Sequence, residues 1–128
     1  MKEIMLAIEV AQTTAKTVYV PAPCRGNIAA LRGVCNGVTN TDDVVTISRA
    51  STAVATITGP STGLAAGNAI TGVLDTTNGQ LIFDPASSTA ANQVMKIEFT
   101  NTFDAADVFT IFMLWDDSAY VTQTPSEA

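Results

Sequence analysis

The sequence predicts an all-β fold: a two-sheet sandwich, jelly-roll-like, built from about eight or nine short antiparallel strands. Three observations carry this. Apolar stretches of about five to nine residues recur along the chain, cut apart by Gly, Asn, Asp, Pro and Thr. Several stretches alternate with a period of two, the mark of a strand with one wet face. The last strong run, Val108–Trp115, is apolar on both faces, as expected of a central strand or of one whose second face lies under another subunit.

Glu3–Ala11 reads as the first strand, with Ile4, Leu6, Ile8 and Val10 on one face. Gln12–Lys16 is a polar connection. Thr17–Val20 follows and stops at Pro21-Ala22-Pro23, where proline's missing N–H marks an edge or a crossing between sheets. Ile28–Cys35 opens after Gly26-Asn27 and ends at the turn signal Asn36-Gly37. After the polar loop Thr39–Asp43, Val44–Ala50 is a strand with Val45 and Ile47 on one face. Ala53–Thr58 alternates Ala53, Ala55 and Ile57 against Val54, Thr56 and Thr58, and Gly59–Gly63 breaks the pattern.

Leu64–Ile70 is too glycine-rich for a helix and reads as a loop entering one strand over Ala69–Leu74. Asp75–Gly79 is a hairpin connection into a short strand, Gln80–Phe83, halted by Asp84-Pro85. Ala86–Asn92 is a helical turn, capped from Ser87-Ser88-Thr89, or a loop. Val94–Thr100 sets Met95, Ile97 and Phe99 inward against Val94, Lys96, Glu98 and Thr100. Asn101–Asp107 is a polar corner before Val108–Trp115. Ala119–Thr122 is a last short strand, and residues 123–128 form a flexible tail. At 128 residues, positions 1–128 make a single domain.

Composition narrows the function classes. The hydrophobic fraction is 47%, but much of it is alanine, and aromatics are 6%. Burial free energy follows apolar area, so a core of Ala and Val would be thin and would gain from further burial between subunits. Charged residues are 14%, and the polar faces are built from hydroxyls and amides, which suit surfaces packed against other copies. A net charge of −6, with only six scattered basic residues, speaks against a phosphate-binding stripe and hence against nucleic acid. No apolar run is long enough for a membrane helix. Met1–Ala11 carries Glu3 and Glu9 and lacks a cleavage pattern, so it reads as a strand rather than a signal peptide.

Residue chemistry offers no reaction centre. The chain has no His, which removes the Ser–His and Cys–His bases and leaves too few zinc ligands. A Ser–Lys pair with Lys16 or Lys96 has no motif behind it. Asp42-Asp43, Asp104/Asp107 and Asp116-Asp117 sit at predicted loop ends. There Asp shapes turns, and none has the ligand spacing of a calcium loop. Cys24 and Cys35 read as buried thiols rather than a bridge, and Arg25 beside Cys24 does not make a reactive site. Gly59–Gly63 and Gly67 lack the Lys-Ser/Thr of a phosphate loop. Trp115, Tyr19 and Tyr120 are the residues from which a sugar-stacking platform would be made. Core or interface burial is the expectation for Trp115. No catalytic, cofactor-binding or metal-binding residue is assigned, and the chain is expected not to be an enzyme.

Two stretches look familiar. From Val18 to Gly37 an apolar strand runs into proline, a Gly-containing corner follows, and a strand ends at Asn36-Gly37. Thr41–Arg49 then carries Asp42-Asp43-Val44-Val45-Thr46-Ile47, and Ala91–Thr100 has the style of a closing strand. This resembles small structural proteins of tailed-bacteriophage virions. The resemblance implies a capsid decoration (cement) protein: a β-sandwich on the capsid surface that binds between major capsid protein subunits. It also implies a homo-oligomer, with a trimer favoured, made in the host cytoplasm. Met1–Ala11, Pro21–Gly26 and Gly59–Asn68 are the expected contact segments. The alternatives are a phage tail, fibre or baseplate β domain, and a carbohydrate-binding β-sandwich module.

Overall fold

A computed structural model describes residues 3–12, 16–35, 44–58, 67, 69–99 and 107–117. Among the described residues nine strands run in the order β1 (Glu3–Gln12), β2 (Lys16–Pro21), β3 (Asn27–Cys35), β4 (Val44–Arg49), β5 (Thr52–Thr58), β6 (Ala69–Thr71), β7 (Val73–Leu74), β8 (Val94–Phe99) and β9 (Asp107–Asp116). They form a four-stranded sheet, β1-β9-β3-β6, and a five-stranded sheet, β2-β8-β4-β5-β7, all pairs antiparallel. The chain passes back and forth between the layers, and the last two long strands insert beside the first four. That is jelly-roll order with β7 as an added edge. The all-β sandwich expected from the sequence is the fold observed.

The core lies between the sheets. Phe109, Ile111, Met113 and Trp115 project inward from β9, facing Val45 and Ile47 of β4 and Met95, Ile97 and Phe99 of β8. In β8 the alternation read from the sequence is the alternation of burial. β9 is central in its sheet, flanked by β1 and β3. β2, which ends at Pro21, is an edge strand, as its proline requires. The core is not the thin Ala/Val packing expected. Its largest fully buried side chains are Trp, Phe, Ile and Met, while Ala7, Ala30, Ala53 and Ala69 are exposed. The composition-based case for extra burial at an interface therefore loses its footing.

Four departures from the expected elements share one cause, partner geometry. In β5, a bulge against β4 lets both Val54 and Ala55 turn inward while Ala53 is exposed, so simple alternation fails. A second bulge, between Ile28 and Ala30, re-phases β3 so that Ile28 and Leu31 both reach the core. Ala69–Leu74 is not one strand: it breaks at Gly72, β6 pairing with β3 in one sheet and β7 with β5 in the other. A Cβ at Gly72 would run into the Leu31 side chain, so only glycine lets the chain pass between layers there. Gln80–Phe83 is not a strand but makes a single bridge, Gly26 to Phe83. Of the two readings for Ala86–Asn92, a short 3-10 turn over Ala90–Asn92 is present, preceded by Thr89 without a side-chain cap. Gln12–Lys16, Thr39–Asp43, Gly59–Gly63, Asn101–Asp107, Ala119–Thr122 and the 123–128 tail fall wholly or mostly outside the described residues.

Candidate functional site

The long connection from β7 to β8 closes one end of the sandwich. Gly26 and Phe83 exchange backbone hydrogen bonds of 2.9 and 2.8 Å, and the amides of Ala22 and Asp84 donate to the carbonyls of Gln93 and Asn92. Phe83 lies against Trp115 with ring centroids 5.7 Å apart. Arg49, buried at the end of β4, donates from Nη1 to the Ile82 carbonyl at 2.8 Å. This arrangement is structural: a guanidinium ties the plug to the sheet. Trp115 Nε1 and Asn92 Nδ2 are buried there and find no hydrogen-bond partner among the described residues.

The aspartates in this connection act as turn residues. Asp75 Oδ2 accepts from the amides of Thr77 and Asn78 at 3.0 and 2.7 Å, and Asp84 Oδ1 accepts from Ala86 at 2.9 Å. Asp116 and Asp117 lie half-buried at the end of β9 and just past it. Asp42, Asp43 and Asp104 are outside the described residues, as are the side chain of Asp107 and the Gly59–Gly63 loop. Among the described residues no three of His, Cys, Asp or Glu gather as a metal site.

The aromatic candidates are not brought together. Trp115 is fully buried, so its ring offers no face to a sugar. Tyr19 is 62% exposed on the outer face of β2, in the other sheet. Tyr120 is outside the described residues. Lys96, weighed as half of a Ser–Lys pair, lies 3.7 Å from Glu98 on the wet face of β8. Cys24 is a half-buried thiol packed against the core, and the side chain of Cys35 is not described. A shallow cleft of about 490 Å³ separates Pro23–Arg25 from Asp84–Ala86, on the plugged end of the sandwich.

What the structure does assemble is a surface. The outer faces of the two sheets differ in kind. Over the five-stranded sheet the outward residues are mixed: Thr17, Tyr19, Thr46, Thr56, Lys96 and Glu98 stand beside Ala53, Val94 and a 65% exposed Val73. Over the four-stranded sheet they are largely apolar. Register sets Met5, Leu114 and Ala30 in one row across β1, β9 and β3, and Ala7, Phe112 and Arg32 in the next. Met5 is 59% exposed, and a shallow groove of about 290 Å³ runs between Met5, Ala30, Thr71, Phe112 and Leu114. Phe112 and Leu114 are the second apolar face of β9 noted in the sequence. The Met5 and Ala30 rows beside them were not legible, because they exist only once β1 and β3 flank β9.

No family model, curated protein or solved structure matches the chain.

Proposed function

We propose that this chain is a virion structural protein of the decoration type, which reinforces a phage capsid by seating among major capsid protein subunits and copies of itself. The observation that carries the reading is the outer face of the four-stranded sheet, where register lines up Met5, Leu114 and Ala30 beside Ala7 and Phe112 in charge-poor apolar rows. An apolar face bounded by single charges suits a protein–protein contact. Jelly-roll order is compatible, since viral capsid domains use it, although lectin domains do too and the fold alone does not carry function. The resemblance of Val18–Gly37, Thr41–Arg49 and Ala91–Thr100 to phage virion proteins supplies the rest. In this reading the Pro21–Gly26 corner, with the cleft beside Asp84–Ala86, faces the shell, and β1 faces sister chains. Many weak contacts repeated over a shell then add up to a strong lock.

The test is co-sedimentation of the purified protein with undecorated phage heads over a range of salt. Saturable binding at a fixed ratio to the major capsid protein is the expected result. Absence of binding at every salt concentration, or binding only to isolated tails, overturns the capsid reading in favour of no virion role or of a tail role.

A further inference from the structure

We propose that Asn78–Gly79 is a site of spontaneous deamidation that the Asp75 turn holds silent while the chain is folded. In Asn-Gly the backbone nitrogen after the asparagine reaches the side-chain amide with least hindrance, because glycine has no Cβ to stand in the way. The sequence carries this dipeptide twice, at Asn36-Gly37 and Asn78-Gly79. Of the two, Asn78-Gly79 lies among the described residues, in the turn that leads from β7 into the plug. The fold demands glycine there. A Cβ at position 79 would sit 2.6 Å from the Asp75 carbonyl oxygen and 3.0 Å from the Leu74 Cβ. The φ of Gly79 is not in the left-handed region, so close approach rather than backbone conformation selects glycine. Any residue whose side chain would slow the chemistry is thereby excluded, and the turn itself must supply the protection.

The reaction needs only water and a solvent base. The Gly79 nitrogen gives up its proton and attacks Asn78 Cγ. The new N–Cγ bond closes a succinimide ring, and the Cγ–Nδ2 bond breaks with loss of ammonia. Water then opens the ring to aspartate or to isoaspartate. The folded turn blocks the first event. Gly79 is buried, and its N–H donates to the Asp75 carbonyl at 2.9 Å, which keeps the proton from a solvent base. The amides of Thr77 and Asn78 donate to Asp75 Oδ2 at 3.0 and 2.7 Å, and the Asn78 carbonyl accepts from Leu81 at 3.1 Å. Both peptide planes flanking Asn78 are therefore fixed, and the Gly79 nitrogen comes free only when the turn opens. Once the chemistry has run, the turn does not close as before. Aspartate at position 78 sets a second carboxylate beside that of Asp75, and like charges repel. Isoaspartate inserts a methylene into the backbone between the two amides that Asp75 holds.

The experiment incubates the full chain at mildly alkaline pH and locates the conversion by peptide mapping, which separates position 78 from position 36. In native buffer Asn78 should convert at least about 10-fold more slowly than in guanidinium chloride at the same pH, the protection given by three hydrogen bonds to Asp75 at the low end of their range. Asp75→Ala removes the two made by the carboxylate and should raise the native rate about 5-fold or more. Asp75→Asn keeps a side-chain oxygen that accepts, and should stay near the wild-type rate. Far-UV circular dichroism checks that both variants are folded. No conversion in denaturant, or equal rates in denaturant and native buffer, overturns the proposal. So does a folded Asp75→Ala chain that converts no faster than wild type. Hydrogen exchange at the Gly79 amide of the wild-type chain needs no variant: slowed exchange is expected, and exchange at the rate of an unstructured chain overturns the proposal. Chain converted in denaturant and returned to native buffer should exchange that amide faster than unconverted chain, and unchanged exchange overturns the claim that the turn fails to close. None of these readings involves a capsid, so they stand or fall apart from head co-sedimentation.

Discussion

Replacing Gly33 by alanine sets two effects of opposite sign against each other. Gly33 lies mid-strand in β3, on the inner face, opposite Ile111 of β9. Its φ is not in the left-handed region, so an ordinary backbone argument predicts that alanine helps. Fewer unfolded conformations are worth about 0.4–1 kcal/mol at a site the new residue can adopt. The packing argument predicts the reverse. A Cβ at position 33 would land on the Phe109 ring, 2.5 Å from Cε1 and closer still to Cζ. That ring cannot withdraw freely, because it is fully buried and meets Phe99 edge-on at a centroid distance of 5.7 Å. Overpacking of a filled core costs about 1–3 kcal/mol. The net expectation is a loss of about 1–2 kcal/mol. For 128 residues the unfolding entropy is about 0.27 kcal/mol/K, so the melting temperature should fall by about 4–7 °C. Thermal and urea unfolding followed by circular dichroism measure this. A double variant adding Phe109→Leu tests the cause. Removing the ring relieves the contact, so the two losses should sum to less than their separate values by about 1 kcal/mol. A Gly33→Ala protein more stable than wild type, or strict additivity with Phe109→Leu, would refute the account of this contact.

Ile97→Ala, at a fully buried site on central strand β8, should cost about 3–4 kcal/mol in urea unfolding. Arg49→Ala should cost about 2 kcal/mol or more by removing the guanidinium that holds the Ile82 carbonyl, and faster hydrogen exchange at the Gly26 and Phe83 amides should localise the damage to the plugged end. Ala50 holds a φ of 55° in the turn joining β4 to β5, so Ala50→Gly should raise stability by about 0.5–1 kcal/mol in thermal unfolding.

Legibility in the sequence divided along a physical line. β8 was readable residue by residue, because Val94–Phe99 alternates without interruption and one face of it is wet. β1, β2 and β3 were found with ends within a residue or so, because Pro21, Gly26-Asn27 and Asn36-Gly37 punctuate them. The bulges at Ala29 and Val54 were not readable. A bulge is defined by two residues opposing one on the partner strand, and the partner is not named in the local sequence. Phe83 was assigned to a strand on its apolar neighbours. It proved to be a plug residue against Trp115, for reasons that belong to a segment far along the chain. The candidate surface was half legible: Phe112 and Leu114 announced a second apolar face on β9, while Met5 and Ala30 joined them only through register.

The sequence by itself determined that this chain is a stack of short strands, because period and turn residues are local properties. The tertiary structure decided which strands neighbour one another, that the sheet change falls at Gly72, and that β1 lies at the end of its sheet beside β9. Those are consequences of strand order, and strand order is set by contacts between residues tens of positions apart, which no local pattern encodes.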